Sequence, residues 1–152
     1  MKLAEALILR ADCRKRFEQL NARILRSAKA QEGDEPAVNP AELLAELEAV
    51  AGEFAALVKR INRTNATTPF REGLTLADAL AERDALALRR AVYSGLAQAA
   101  AVTQERYSRS EVKFRSTVNV AEVQKRADDL AKSYRELDSR IQELNWQTEL
   151  AE

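Results

Sequence analysis

The sequence predicts a mostly α protein: one domain built as a bundle of four long helices with a short β element. Three observations support this prediction. Apolar residues repeat every three to four positions through most of the chain, a helix-start motif recurs at three places, and one segment alternates with a period of two. A chain of 152 residues has the length of one ordinary domain.

The helix-start motifs share a side-chain hydrogen-bond acceptor and a carboxylate three residues later. They are NPAE from Asn39, TLAD from Thr75 and NVAE from Asn119, and Pro40 stands at the favoured first helical position. With a further helix at the N-terminus, they predict helices over residues 2–30, 40–66, 75–104 and 120–150.

Apolar residues in the second and fourth predicted helices are spaced alternately by four and three, which is typical of coiled-coil seams. In the second helix they are Leu43, Leu47, Val50, Phe54, Leu57 and Ile61. In the fourth they are Val123, Ala127, Leu130, Tyr134, Leu137, Ile141 and Leu144. The first helix follows the pattern more loosely through Leu3, Ala6, Cys13, Phe17, Leu20 and Ile24.

The third predicted helix carries small residues on several faces. Alanines recur from Ala77 to Ala101, between larger apolar residues such as Leu88 and Val92. Small side chains let neighbouring helices approach closely from more than one side, so we expect this helix in the middle of the bundle. Before it, Phe70 and Leu74 flank a turn that predicts a small hairpin.

The segment that alternates with a period of two predicts an extended strand over residues 107–118. Its apolar positions Val112, Phe114 and Val118 would share one face of the strand. A lone strand needs a partner for its amide groups. Either it crosses over the bundle so that the fourth helix runs parallel to the third, or it pairs with another subunit. We favour the second, with these three residues as the interface of a homo-oligomer.

Charge is balanced overall, since 24 basic residues oppose 24 acidic ones. This balance gives no electrostatic reason to expect nucleic acid as the main partner. Residues 1–30 hold eight basic and three acidic side chains, and residues 31–56 hold seven acidic and none basic, so the first two helices are expected to complement each other. A basic cluster at the start of the strand and along it resembles in composition a phosphate-contacting strand, which predicts anion binding: Arg106, Arg109, Lys113 and Arg115. The alternative is that these charged side chains simply lie on the solvent-exposed face of the strand and bind no partner.

The chain has few residues of the types that usually act in catalysis or bind metals. It has no histidine, one cysteine and four glycines, which excludes histidine bases, thiolate zinc sites and phosphate-binding glycine loops. Cys13 fits a small core residue better than a nucleophile activated by nearby arginines. Carboxylate pairs that share a helix face leave one enzymatic alternative, a magnesium-dependent nucleotide pyrophosphohydrolase: Glu42 with Glu46, and Asp78 with Glu82. We predict no cofactor, no metal site and no enzymatic activity.

The chain is expected to be cytoplasmic. Glu5 and Arg10 interrupt the apolar N-terminal stretch, which has no small-residue cleavage site after it. No run approaches the eighteen apolar residues of a membrane span, and a single cysteine cannot form an internal disulfide.

Four segments together resemble a family of small bacterial proteins often labelled septicolysin-like. They are RINRTN (60–65), LAERDAL (80–86), RYSRSEVKFRSTV (106–118) and RIQELNWQTEL (140–150), and the likeness runs nearly end to end. The family is essentially uncharacterised, so no catalytic residue is carried over. Its label implies a pore-forming toxin, whereas this sequence lacks a signal, a membrane-spanning segment and long amphipathic β-hairpins. A homo-oligomeric structural or interaction protein is therefore the predicted function, with a weak nucleic-acid binder as a further alternative.

Overall fold

A computed structural model describes residues 1–101 and 112–152 of the chain. Within them lie four α-helices and a two-stranded antiparallel hairpin, which confirms the predicted fold class. The elements are α1 (Leu3–Arg26), α2 (Pro40–Thr67), β1 (Pro69–Arg71), β2 (Leu74–Thr75), α3 (Leu76–Ala100) and α4 (Val120–Gln147). They form two compact units, one of residues 1–76 with 142–152 and the other of residues 77–141.

At two of the three predicted helix starts, the predicted asparagine side chain accepts a hydrogen bond from a backbone amide in the first turn of the helix. Asn39 Oδ1 accepts a hydrogen bond from the Ala41 amide at 3.0 Å, and Pro40 is the first residue of α2. Asn119 Oδ1 accepts one from the Glu122 amide at 3.2 Å at the start of α4. Both side chains satisfy amide donors that have no partner inside the helix.

The helices α1 and α4 end earlier than predicted. The helix α1 ends at Arg26 rather than residue 30, and the Ser27 hydroxyl just after it donates to the Ile24 carbonyl at 2.8 Å. Beyond α4 the backbone pairs with the N-terminus instead of continuing the helix. The Leu3 amide donates to the Thr148 carbonyl and the Leu150 amide to the Met1 carbonyl, both at 2.9 Å.

The core of the first unit lies along the predicted seams of α1 and α2. Its fully buried members are Cys13 and Leu20 from α1 with Leu43 and Val50 from α2. Further seam residues pack partly buried against them: Ile24, Leu47, Phe54 and Leu57. Phe17 departs from the prediction, because its ring stays exposed at one side of this seam.

Charges bridge α1 and α2 beside this core. The Arg16 guanidinium lies 3.7 Å from a carboxylate oxygen of Glu46 and 3.7 Å from one of Glu53. These contacts confirm that the basic first helix and the acidic second helix lie side by side. All three side chains are about half exposed, so their contribution to stability is small.

The predicted hairpin connects α2 to α3. Arg71 pairs with Leu74 and Pro69 with Thr75 across the two strands. The turn passes through Gly73, whose φ of 74° lies in the left-handed region that favours glycine. It brings the chain directly into α3.

In the second unit, α3 packs against α4 in the antiparallel sense. Arg83 Nη1 donates to Asp138 Oδ1 at 2.8 Å, and the Arg126 guanidinium lies 5.2 Å from the centre of the Tyr93 ring. Moving forward along α3 therefore means moving backward along α4. This order contradicts the crossover alternative, in which α4 would run parallel to α3.

Residues 112–118 of the strand predicted for residues 107–118 are irregular within the single chain and pair with no strand in its described residues. The favoured pairing with another subunit stays a prediction. Residues 107–111 lie outside the described part of the chain. A period of two favours a strand only when a neighbouring strand accepts its hydrogen bonds. Locally, the Ser116 hydroxyl donates to the Val118 carbonyl at 2.7 Å, which leads the backbone toward the start of α4.

Candidate functional site

Apolar side chains line the face of α3 that points away from α4. Leu88 is 72% exposed, Val92 69% and Leu96 40%. Small residues on the same side of the helix are exposed as well. We call this set the α3 surface: Ala81, Ala85, Leu88, Val92, Gly95, Leu96 and Ala99.

Helix geometry explains why α3 has two separate apolar faces. Successive residues are about 100° apart around the axis, so Leu88 and Val92 lie within about 40° of each other. Ala79 and Ala97 lie on the opposite side, where both are buried. Among the described residues, α3 therefore has apolar neighbours on the side of Ala79 and Ala97, and the residues of the α3 surface are exposed.

The α3 surface continues toward the segment that precedes α4. Leu96 and Ala99 line a surface cleft of about 480 Å³ together with Phe114 and Arg115. Phe114 is 83% exposed. An exposed phenylalanine beside exposed leucine and valine makes a larger apolar patch than scattered single residues do, and such patches mark interaction sites.

The three residues predicted for a strand interface differ in how exposed they are. Val112 and Phe114 are exposed, as an interface residue of a single chain should be, but Val118 is half buried. Their common face in a strand between subunits stays a prediction, since residues 112–118 are irregular within the single chain.

The predicted basic cluster is only partly described. Lys113 and Arg115 are exposed, while Arg106 and Arg109 lie outside the described residues. The structure therefore does not test whether these four side chains come together.

The carboxylates proposed as metal ligands lie on α2 (Glu42 and Glu46) and on α3 (Asp78 and Glu82). In residues 1–101 and 112–152, no three histidine, cysteine, aspartate or glutamate side chains gather closely enough to hold a metal ion together. Cys13 is buried, with its Sγ 3.9 Å from Glu53 Oε2. This placement confirms that Cys13 is a small core residue. Among the described residues, none of the helices is long and apolar enough to cross a membrane.

The two chain termini meet in the first unit, which the sequence patterns did not predict. The Met1 amino group donates to Glu149 Oε2 at 3.2 Å, and Lys2 Nζ bonds the other carboxylate oxygen. Arg60 Nε donates to the Ala151 carbonyl at 2.9 Å. The buried Thr64 hydroxyl accepts from the Ala151 amide at 3.0 Å. We call these contacts the terminal clasp. The residues that form it are far apart in the sequence, so no short-range sequence pattern predicts it.

The terminal clasp makes stability depend on pH. The hydrogen bond from Lys2, and then that from the N-terminal amine, holds the pKa of Glu149 below its usual value of 4.5. A carboxylate whose pKa is lowered in the folded state contributes stability above its unfolded pKa. That contribution is lost as the pH falls from about 4.5 through the lowered pKa.

We therefore expect Glu149→Gln to be less stable than the wild type at pH 7, with the difference closing as the pH falls below 4.5. Urea unfolding at several pH values measures the free energy of unfolding of both proteins. Glu48→Gln, which removes another exposed carboxylate, controls for the change in net charge. A difference that persists unchanged at the lowest pH would refute the role of the ionised Glu149.

Comparisons with known proteins give two matches. A family model described as "Family of unknown function (DUF6847)" matches residues 10–150. The chain is also similar to a solved structure, the crystal structure of a functionally unknown conserved protein from Corynebacterium diphtheriae. The two are 54% identical with a TM-score of 0.94, over 99% of this chain and 98% of that chain. None of the curated proteins compared with the chain matches it.

Proposed function

The chain belongs to the DUF6847 family, whose function is unknown, and on that premise we propose that it is a cytoplasmic, homo-oligomeric structural or interaction protein. The α3 surface is the observation that carries this proposal. A second copy of the chain would cover it, and Phe114 would lie at the edge of the contact.

The size of the apolar patch supports association. Leu88, Val92, Leu96 and Phe114 are the large side chains that would leave water, and each copy contributes the same four. Fully burying one such side chain stabilises by about 1.5–3 kcal/mol, so eight of them, already partly shielded, supply on the order of 10 kcal/mol. Association costs about 4–15 kcal/mol, which is of the same order, so this burial offsets a cost in the lower half of that range.

The composition of the α3 surface supports a second copy as the occupant. The larger Leu88 and Val92 stand together in the middle of this face, and small side chains such as Ala85 and Gly95 flank them on either side. A face of that kind can pack on itself, as a symmetric interface requires. The zero net charge of the chain means that no overall repulsion opposes the pairing.

Light scattering coupled to size-exclusion chromatography tests the proposal. We expect a mass of twice 17.0 kDa or a higher multiple at protein concentrations above about 50 µM, with dissociation on dilution. A single-chain mass at that concentration would contradict self-association.

We do not propose an enzyme, and we expect no hydrolase activity. The reasons are the absence of histidine from the chain and the lack of a pyrophosphohydrolase signature around its acidic pairs. A screen of nucleoside triphosphates with Mg²⁺ or Mn²⁺ should give no turnover above background. Turnover that Glu42→Ala or Asp78→Ala abolishes would instead establish the enzymatic alternative.

The resemblance to septicolysin-like proteins remains a prediction, and we base no toxin function on it. Nucleic acid is likewise not proposed as a partner, since the chain carries 24 basic and 24 acidic residues.

A further inference from the structure

The residues of the α3 surface follow the spacing of a coiled-coil seam. All of them except Leu96 are separated alternately by four and three residues, which is the pattern of heptad positions a and d. Val92 then occupies an a position and Leu88 a d position. In parallel coiled coils, a β-branched residue at a with leucine at d favours two strands over three or four.

The positions beside this seam complement each other in a parallel pair. When two helices run parallel and in register, a g residue faces the e residue five positions later in the partner. Asp84, at g, would therefore lie beside the partner's Arg89. Ala91, also at g, would lie beside the partner's Leu96. Both Asp84 and Arg89 are exposed, although Asp84 also lies 3.9 Å from Arg83 Nε of its own chain.

An antiparallel pair centred on the same seam matches less well. It would bring e positions together, with Arg89 beside the partner's Arg89 and Leu96 beside the partner's Glu82. The first contact joins like charges, and the second places an apolar side chain against a carboxylate. The charged and apolar residues at the e and g positions therefore favour the parallel orientation over the antiparallel one.

Gly95 indicates that the two backbones approach closely. It lies inside α3, where glycine is less favourable than alanine. Its φ is not positive, and in the described residues no atom outside its own stretch of helix lies within 4 Å of where a Cβ would stand. Nothing in the described chain accounts for a glycine at this d position, whereas a neighbouring helix packed against it would.

From the seam, its flanks and Gly95 we infer that α3 pairs in parallel and in register with α3 of a second copy, with Asp84 bound to the partner's Arg89. This inference rests on the proposed self-association through the α3 surface. It adds the relative orientation and the register of the two α3 helices, and an ion pair that favours this orientation and register over others.

Charge reversal tests the ion pair. Asp84→Arg and Arg89→Asp should each weaken association about tenfold, because two attractive contacts per dimer become repulsive. The double variant should return to within about threefold of the wild type, because the swapped charges attract again. Residues five apart do not face each other on one helix, so the rescue cannot arise within a chain. Sedimentation equilibrium gives the dissociation constants, and helical circular dichroism confirms folding.

Disulfide formation tests the register. In a Cys13→Ala background, Ala85→Cys should form a disulfide-linked dimer on mild oxidation, since a parallel pair in register places residue 85 opposite itself. In the antiparallel pair, residue 85 faces the partner's Gly95, and the two cysteines would lie about 15 Å apart. Mixing Ala85→Cys with Gly95→Cys protein would then cross-link instead.

The outcomes separate the two proposals. Cross-linking of Ala85→Cys with itself, together with rescue by the double charge variant, supports the parallel pair. A dimer without rescue, or one that cross-links only in the mixture, overturns the parallel pair and leaves self-association standing. A single-chain mass for the wild type overturns both.

Discussion

Replacing Leu88 with aspartate should convert the protein to a single-chain species that remains helical. Leu88 is 72% exposed, so the change removes little packing within the chain. In the paired state it would bury an unpaired carboxylate in each copy, which costs several kcal/mol. We therefore expect the dissociation constant to rise at least 100-fold. Light scattering coupled to size-exclusion chromatography measures this at matched concentrations.

Leu25→Asp is the matched control for this experiment. Leu25 is 68% exposed on α1, nearly as exposed as Leu88, but it lies outside the α3 surface. Both variants add one negative charge and place aspartate near or inside a helix, so helix propensity affects them in the same direction. Leu25→Asp should keep the wild-type mass. If Leu88→Asp also kept it, the α3 surface would not be the site of association.

Replacing Leu20 with alanine should cost about 2–5 kcal/mol of the free energy of unfolding. Leu20 is only 3% exposed and packs with Cys13, Leu43 and Val50 between α1 and α2. Removing its side chain leaves a cavity that two packed helices fill only partly. Urea unfolding gives the free energy, measured in the Leu88→Asp background so that association does not add to the stability.

Leu25→Ala provides the comparison on the same helix. The residue change is identical, but Leu25 is exposed, so the cost should stay within about 0.5 kcal/mol. Equal costs for the two variants would show that the predicted seam does not form the core of the first unit.

The candidate site was only partly predictable from the sequence. The period of two drew attention to Val112, Phe114 and Val118, and Phe114 does border the proposed contact. Yet the principal exposed face belongs to α3, where the alanines indicated close neighbours without indicating which face would remain open. Which side α4 covers depends on where the chain places α4 after residue 118, and no local pattern in α3 contains that information.

The sequence by itself determined the features that depend on near neighbours along the chain. Asn39 and Asn119 cap their helices, Gly73 permits the turn of the hairpin, and the seams of α1 and α2 face each other. These follow from backbone preferences and helical spacing, which act over a few residues.

Only the tertiary structure decided the features that depend on distant residues. It joined Lys2 to Glu149, ended α4 at Gln147, set α4 antiparallel to α3 and left Leu88 in solvent. Residues 112–118 alternate like a strand but pair with no strand in the described residues of their own chain, and a strand exists only where another strand accepts its hydrogen bonds. Burial and strand pairing each require contact between two elements. A sequence pattern within one element does not specify which other element contacts it.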